Sequence, residues 1–151
     1  VAAPHIAVIG AGDAAGELER LAEEVGRLVA AGGALLVCGG LGGVMAAACR
    51  GAKAAGGTTV GILPGPDRSA ANPWVDVAIP TGMGEARNAL VVRAADAVVA
   101  VGGGYGTLSE IALALKAEKV VVGLSSWDIP GVVAVPAPDE AVALALAAAR
   151  P

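Results

Sequence analysis

Phenylalanine is absent from this 151-residue chain, and aromatic residues make up only 2% of it. One tyrosine and two tryptophans cannot build the row of stacking platforms on which single-stranded nucleic acids lie. Positive charge is scarce too. Ten Lys and Arg stand against 14 Asp and Glu, for a formal net charge of −4, and no basic cluster follows one face. Both shortages argue against nucleic acid as a partner. The two cysteines, Cys38 and Cys49, form no CxxC and no disulfide framework; they read as buried thiols of a cytoplasmic protein. The single histidine, His5, precedes the first strand pattern. It lies far upstream of the strand ends that would carry a site, so a Ser-His-Asp triad is not supported, and no His/Cys/Asp cluster has metal-ligand spacing. No apolar run reaches the roughly 18 residues that a bilayer demands. The longest, residues 89–101, is broken by Arg93 and Asp96. No charged segment followed by a short apolar one opens the chain, so neither a secretory leader nor a membrane partner is expected.

What is abundant is small and apolar. Hydrophobic residues make up 56% of the chain and charged ones 16%, which excludes disorder. The length suits one domain over residues 1–151. Glycine occurs 23 times, often in doublets such as Gly39-Gly40, Gly42-Gly43 and Gly102-Gly103-Gly104. A core without Phe must be filled by Ala, Val, Leu and Ile, whose small bulk lets helices approach a sheet closely.

Short β-rich runs alternate with longer stretches of helical period. HIAVIG (residues 5–10) is the first strand pattern. It is followed by an amphipathic stretch, residues 16–31, in which Leu18, Leu21, Val25 and Leu28 share one face and glutamates take the other. ALLVCGG, TTVGILP, VDVAIPT, DAVVAVGG and VVVGLS continue the strand series, with GVVAV as a short seventh. Between them lie a second helix ending at Gly56-Gly57, a third over residues 83–95, a fourth from YGTLSE onward, and a last one starting at Pro138 or Asp139. The strands are apolar on both faces. The expectation is an α/β doubly wound domain, a mainly parallel sheet of six or seven strands with helices on both faces.

Ligands of such sheets bind beyond the carboxyl ends of the strands. Gly10, Gly40 and Gly43 stand at the ends of the first and second strands, where glycine permits close approach of backbone to ligand or simply closes a tight turn. GAGDAAG spaces its glycines as GxGxxxG, one residue longer than the dinucleotide fingerprint, and no acidic residue ends the second strand. No Walker A lysine is present. The fifth strand's turn, GGGYGTLSE, says more. Gly102, Gly103, Gly104, Gly106 and Thr107 precede or open a helix, where free amides and the helix dipole make an anion site. Without a lysine it suits a monophosphate. Thr107 and Glu110 also have capping-box spacing, in which Glu110 reaches back to the Thr107 amide; the capping and ligand readings both stand at this point. Arg87 and Asn88 open the third helix. If the fourth and fifth strands are neighbours, Arg87 meets either the phosphate or Glu110 in one crevice; otherwise it is an exposed arginine on a helix surface, and both readings stand at this point.

With MGEARN upstream and GGGYGTLSE after the fifth strand, the chain resembles the LONELY GUY (LOG) family, also labelled lysine-decarboxylase-like, from about residue 6 to 122. The resemblance implies a Rossmann-like fold, a homodimer or higher homo-oligomer, and hydrolysis of the N-glycosidic bond of a nucleoside 5′-monophosphate. No cofactor is required for that chemistry, and nothing supports lysine decarboxylation. By the same resemblance Gly103, Gly104, Gly106 and Thr107 hold the phosphate. Glu110 holds the ribose hydroxyls or stabilises the positive charge developing at the cleaved bond, and Arg87 orients Glu110 or the ligand; these two are the catalytic candidates. Two positions depart from the family pattern. Gly102 replaces its proline, and Asn88 replaces the lysine of its Arg-Lys pair. The segment also resembles a sister branch that includes the molybdenum cofactor carriers, which bind a phosphorylated pterin without cleaving it. In that alternative the molybdenum cofactor is itself the ligand, and the protein is a carrier or sensor.

Overall fold

A computed structural model describes residues 2–150. β1 (His5–Gly10), α1 (Glu17–Ala31), β2 (Leu35–Cys38), α2 (Val44–Ala54), β3 (Thr59–Leu63) and β4 (Val77–Pro80) run outward from the centre of one sheet. The chain returns through a 3₁₀ turn (Gly84–Arg87) and α3 (Asn88–Arg93) to β5 (Ala97–Val101). It continues through α4 (Tyr105–Lys116), β6 (Val121–Leu124), β7 (Val132–Ala134) and α5 (Pro138–Ala149). The seven described strands are all parallel, in the order β4-β3-β2-β1-β5-β6-β7. The expected Rossmann-like α/β architecture is therefore present, with the order reversing between β1 and β5.

The strand sequences explain the layers. Every residue of β5 is buried, as a parallel strand covered on both faces requires. Alternate residues serve opposite sides. Ile6, Val8, Leu36, Val99 and Val101 pack under α1, α2 and α5. Ala7, Ile9, Val37, Val98 and Ala100 pack under α3 and α4. Small residues set the spacing on the first side. A methyl at Gly26 of α1 would stand 1.9 Å from the Ala48 carbonyl oxygen, and one at Gly51 of α2 would stand 1.9 Å from that of Glu23. The α1 and α2 backbones touch, and only glycine fits. Arg50 then reaches Glu19 and Glu23 across the pair at 3.1 and 2.9 Å. These side chains are partly exposed, so the ion pairs add little to stability.

Two local expectations need correction. The third helix does not run unbroken over residues 83–95. Gly82 and Gly84 hold φ of +63° and +59°, which no α-helix accommodates, so a 3₁₀ turn precedes a short α3. Second, β4 and β5 are not neighbours. β4 is an edge strand, separated from β5 by β3, β2 and β1. Among the described residues no helix is long and apolar enough to cross a membrane.

Candidate functional site

A cleft of about 280 Å³ opens at the carboxyl ends of β1 and β5, where the strand order reverses. Open α/β sheets bind ligands at this position. β1 and its turn supply one wall through Gly10, Ala11, Gly12 and Asp13, and Gly39 and Met45 close the far side. The start of α4 supplies the other wall through Gly104, Gly106, Thr107 and Glu110, and Arg87 and Asn88 also line the cleft.

α4 begins at Tyr105 with Gly104 as its cap, and no side chain caps it. This overturns the capping-box alternative. The helix starts two residues before Thr107, so Thr107 already lies inside the first turn and Glu110 in the second. The first backbone amide to find an intrahelical acceptor at this end is that of Leu108, bonded to Gly104. Among the described residues the amides of Tyr105, Gly106 and Thr107 find no acceptor within the protein. Helix starts of this kind bind anions. Gly104 and Gly106 leave the space before these amides clear: a methyl on either would meet nothing within 4 Å.

Apart from Gly10, the remaining candidate glycines shape the site from behind and do not line it. Gly103 has φ +109°, and a methyl there would stand 2.4 Å from Thr107 Cβ. Gly102 (φ +58°) lies against Leu18, Gly40 (φ +78°) against Leu63, and Gly43 (φ +62°) against Ala11 and Gly12. Gly10 does both jobs. It lines the cleft, and a methyl on it would stand 2.4 Å from the Val101 carbonyl oxygen.

Arg87 reaches the cleft although its strand lies at the sheet edge. After β4 the chain folds back over the end of β3, with the Gly84 amide bonded to the Pro64 carbonyl and the Gly82 amide to that of Gly65. Arg87, 9% exposed, donates from Nε to the Ile62 carbonyl at 2.8 Å and from Nη2 toward that of Gly39 at 3.4 Å. It also donates from Nη1 to Asn88 Oδ1. Asn88 Nδ2 donates to Ser109 Oγ at 3.1 Å, and Ser109 Oγ donates to the Gly106 carbonyl at 2.7 Å. A chain of hydrogen bonds thus runs from the ends of β2 and β3 to the first turn of α4. Arg87 and Glu110 form no ion pair among the described residues.

Glu110 is 8% exposed and accepts no hydrogen bond from the described residues. Burial pushes its carboxyl up to about 7, and the positive charge of Arg87 pulls partly the other way. A buried carboxyl of raised pKa facing a cleft marks functional sites more often than structural ones. The spacing arguments missed Asp13, Gly39, Met45 and the Asn88–Ser109 bridge. The GxGxxxG turn was a signal for Asp13; nothing local marks Ser109. Cys38 and Cys49 lie behind the cleft, buried and unlinked, with their sulfurs 3.5 Å apart. The hydrogen bond to Cys49, with burial, holds the Cys38 thiol well above its ordinary pKa. Among the described residues no group of His, Cys, Asp and Glu could hold a metal ion.

Residues 3–148 match the model of the SLOG cluster4 family. The chain is 48% identical over 139 residues to an uncharacterised protein of Archaeoglobus fulgidus, covering 91% of each. Among solved structures, the molybdenum cofactor binding protein of the phototrophic bacterium Rippkaea orientalis superposes with a TM-score of 0.90 at 38% identity, over 95% of both chains. The molybdenum cofactor carrier protein of Chlamydomonas reinhardtii superposes with a TM-score of 0.89, also at 38% identity, over 97% of this chain and 98% of that one.

Proposed function

The chain belongs to the SLOG cluster4 family, and from that membership and its cleft we propose that it binds a phosphorylated pterin of the molybdenum cofactor type and carries it without cleaving it. The observation that carries this reading is the start of α4, where the amides of Tyr105, Gly106 and Thr107 have no acceptor among the described residues and open onto a cleft at the switch point. The phosphate seats there, with the Thr107 hydroxyl as a further donor. The body of the ligand lies along Gly10–Asp13 toward Gly39 and Met45, where Asp13 and the Arg87 guanidinium beside Gly39 are the charged side chains. The likeness to two molybdenum cofactor proteins over nearly the whole chain supports the pterin. The metal is cargo in this reading, and the pterin supplies its ligands. The test is to titrate purified protein with molybdopterin and follow thermal stability and bound molybdenum. A saturable rise with one equivalent bound is expected; no rise at any concentration refutes the reading.

A second reading rests on Glu110. A buried carboxyl titrating at about 7 suits a group that handles a proton at a glycosidic bond. This is the LOG-type phosphoribohydrolase activity, and it predicts free base released from a nucleoside 5′-monophosphate panel. Release that survives Glu110→Ala, or no release at high protein concentration, refutes it. Assembly as a homodimer belongs to the same proposal. Exposed Val77 and Ile79 on the edge strand β4 support it, and sedimentation tests it.

A further inference from the structure

The anion seat and Glu110 share one helix face. Thr107 and Glu110 are three residues apart, so they lie one above the other along α4. Long helical side chains lean back toward the N-terminus, which aims the Glu110 carboxyl toward the amides of the first turn. Both residues line the same cleft and both are buried, Thr107 at 3% and Glu110 at 8% exposure. Glu110 accepts no hydrogen bond from the described residues, and the charge of Arg87 offsets its burial only in part. The groups facing it are few. From the 3₁₀ turn comes Arg87, whose hydrogen bonds go to Ile62, Gly39 and Asn88. From α3 comes neutral Asn88, and from the β1–α1 turn comes Asp13, a second acid.

A dianion seated on these amides and a negative carboxylate one turn behind it, lining the same cleft, repel each other. Resting on the reading that this is a phosphate site, we infer that the cleft takes up a proton together with its anion, and that Glu110 holds it. The proton comes from solvent and resides on a Glu110 carboxyl oxygen, and no other bond changes. Affinity then depends on pH through the protein as well as through the ligand. Loading is favoured at and below neutrality, and release is favoured as pH rises. Glu110 becomes the residue that sets when the seat accepts a phosphate.

Sulfate is the probe, because it remains a dianion across the working range and any pH dependence belongs to the protein. Its dissociation constant is measured by calorimetry from pH 5.5 to 8.5, at constant ionic strength, on the full chain and on Glu110→Gln. The wild-type affinity falls by up to about tenfold per pH unit above the carboxyl's pKa. It is about 30-fold weaker at pH 8.5 than at pH 5.5 for a group titrating near 7. Glu110→Gln binds with the same affinity at both ends. Proton uptake, counted on wild type alone at pH 7.5 in buffers of different ionisation enthalpy, reaches about three-quarters of a proton per sulfate for a group titrating at about 7 and keeps the test decisive if the variant does not fold. Saturable binding with no pH slope and no proton uptake overturns the inference and leaves the phosphate seat standing. A slope that persists in Glu110→Gln also overturns it. Absence of sulfate binding at every pH, in both proteins, overturns the seat itself and the inference with it.

Discussion

Gly106→Ala separates stability from binding at the start of α4. Gly106 is the second residue of the helix, and an added methyl there meets nothing within 4 Å. Glycine in a helix costs about 0.5–1 kcal/mol relative to alanine, so the variant is the more stable protein. For a domain of this size about 1 kcal/mol moves Tm by about 2–4 °C, and the expected rise is about 1–4 °C. Binding moves the opposite way. Gly106 lines the cleft, and a phosphate oxygen must come within about 2.7–2.9 Å of an amide nitrogen to be held by it. A methyl beside that amide takes the space. Wild type at a hundredfold excess of ligand over Kd gains about 2.7 kcal/mol, or roughly 5–10 °C; the variant gains under about 1 °C. Differential scanning fluorimetry, with and without molybdopterin or sulfate, reads both effects. Gly103→Ala is the contrast. Its φ of +109° and a methyl 2.4 Å from Thr107 Cβ cost about 1–3 kcal/mol in backbone strain alone, so Tm falls and binding is lost with it. A Gly106→Ala protein that keeps the full ligand shift would show that the anion does not sit on these amides. A lower Tm would show that α4 does not begin where described.

Thr107→Val keeps the shape of a buried residue and removes only a hydroxyl that has no partner among the described residues. Ligand affinity falls by roughly tenfold, the worth of one hydrogen bond, while Tm in the absence of ligand stays within about 2 °C; titration calorimetry and fluorimetry separate the two. Gly51→Ala forces α1 and α2 apart at a 1.9 Å contact and lowers stability by about 3 kcal/mol or more, measured by urea denaturation. Ser109→Ala breaks the link between Asn88 and the Gly106 carbonyl, whose bonds are exposed or partly so, and costs no more than about 1 kcal/mol by the same measurement. Glu110 makes stability itself depend on pH. Its carboxyl titrates at about 7 in the folded protein against an ordinary 4.5, so the native state holds the proton more tightly than the unfolded chain. Its favourable contribution is complete below about pH 4.5, declines as pH rises toward 7, and is lost above that. Glu110→Gln therefore exceeds wild type at pH 8 by on the order of 3 kcal/mol, and the two converge near pH 4. Parallel urea curves at both pH values would exclude a buried carboxylate.

Much of this protein is legible locally. Continuous apolar runs such as AVVAV and HIAVIG state their own burial on both sides, and Pro138 marks the start of α5. The glycine-rich turn after β5 announces an anion site, because few other needs bring three glycines before a helix. Its capping alternative could not be settled from spacing, since Thr107 and Glu110 stand three apart whether the helix begins at residue 105 or 107. The backbone of Gly104 decides that, and it also decides that Glu110 faces the cleft with no partner.

From residues alone came the α/β class, the alternation of elements and the turn proposed to seat the anion, because each depends on periodicity and backbone freedom within a few neighbouring positions. Only the tertiary structure decided the order of the strands, and with it the company that Arg87 keeps. The β4 strand that precedes Arg87 lies at the sheet edge, yet the guanidinium spans the ends of β3 and β2 and holds Asn88 against Ser109. No local pattern encodes that arrangement. It follows from a crossover that returns the chain over strands laid down earlier, and, apart from the bond between neighbours Arg87 and Asn88, the hydrogen bonds that settle it join residues more than 20 positions apart.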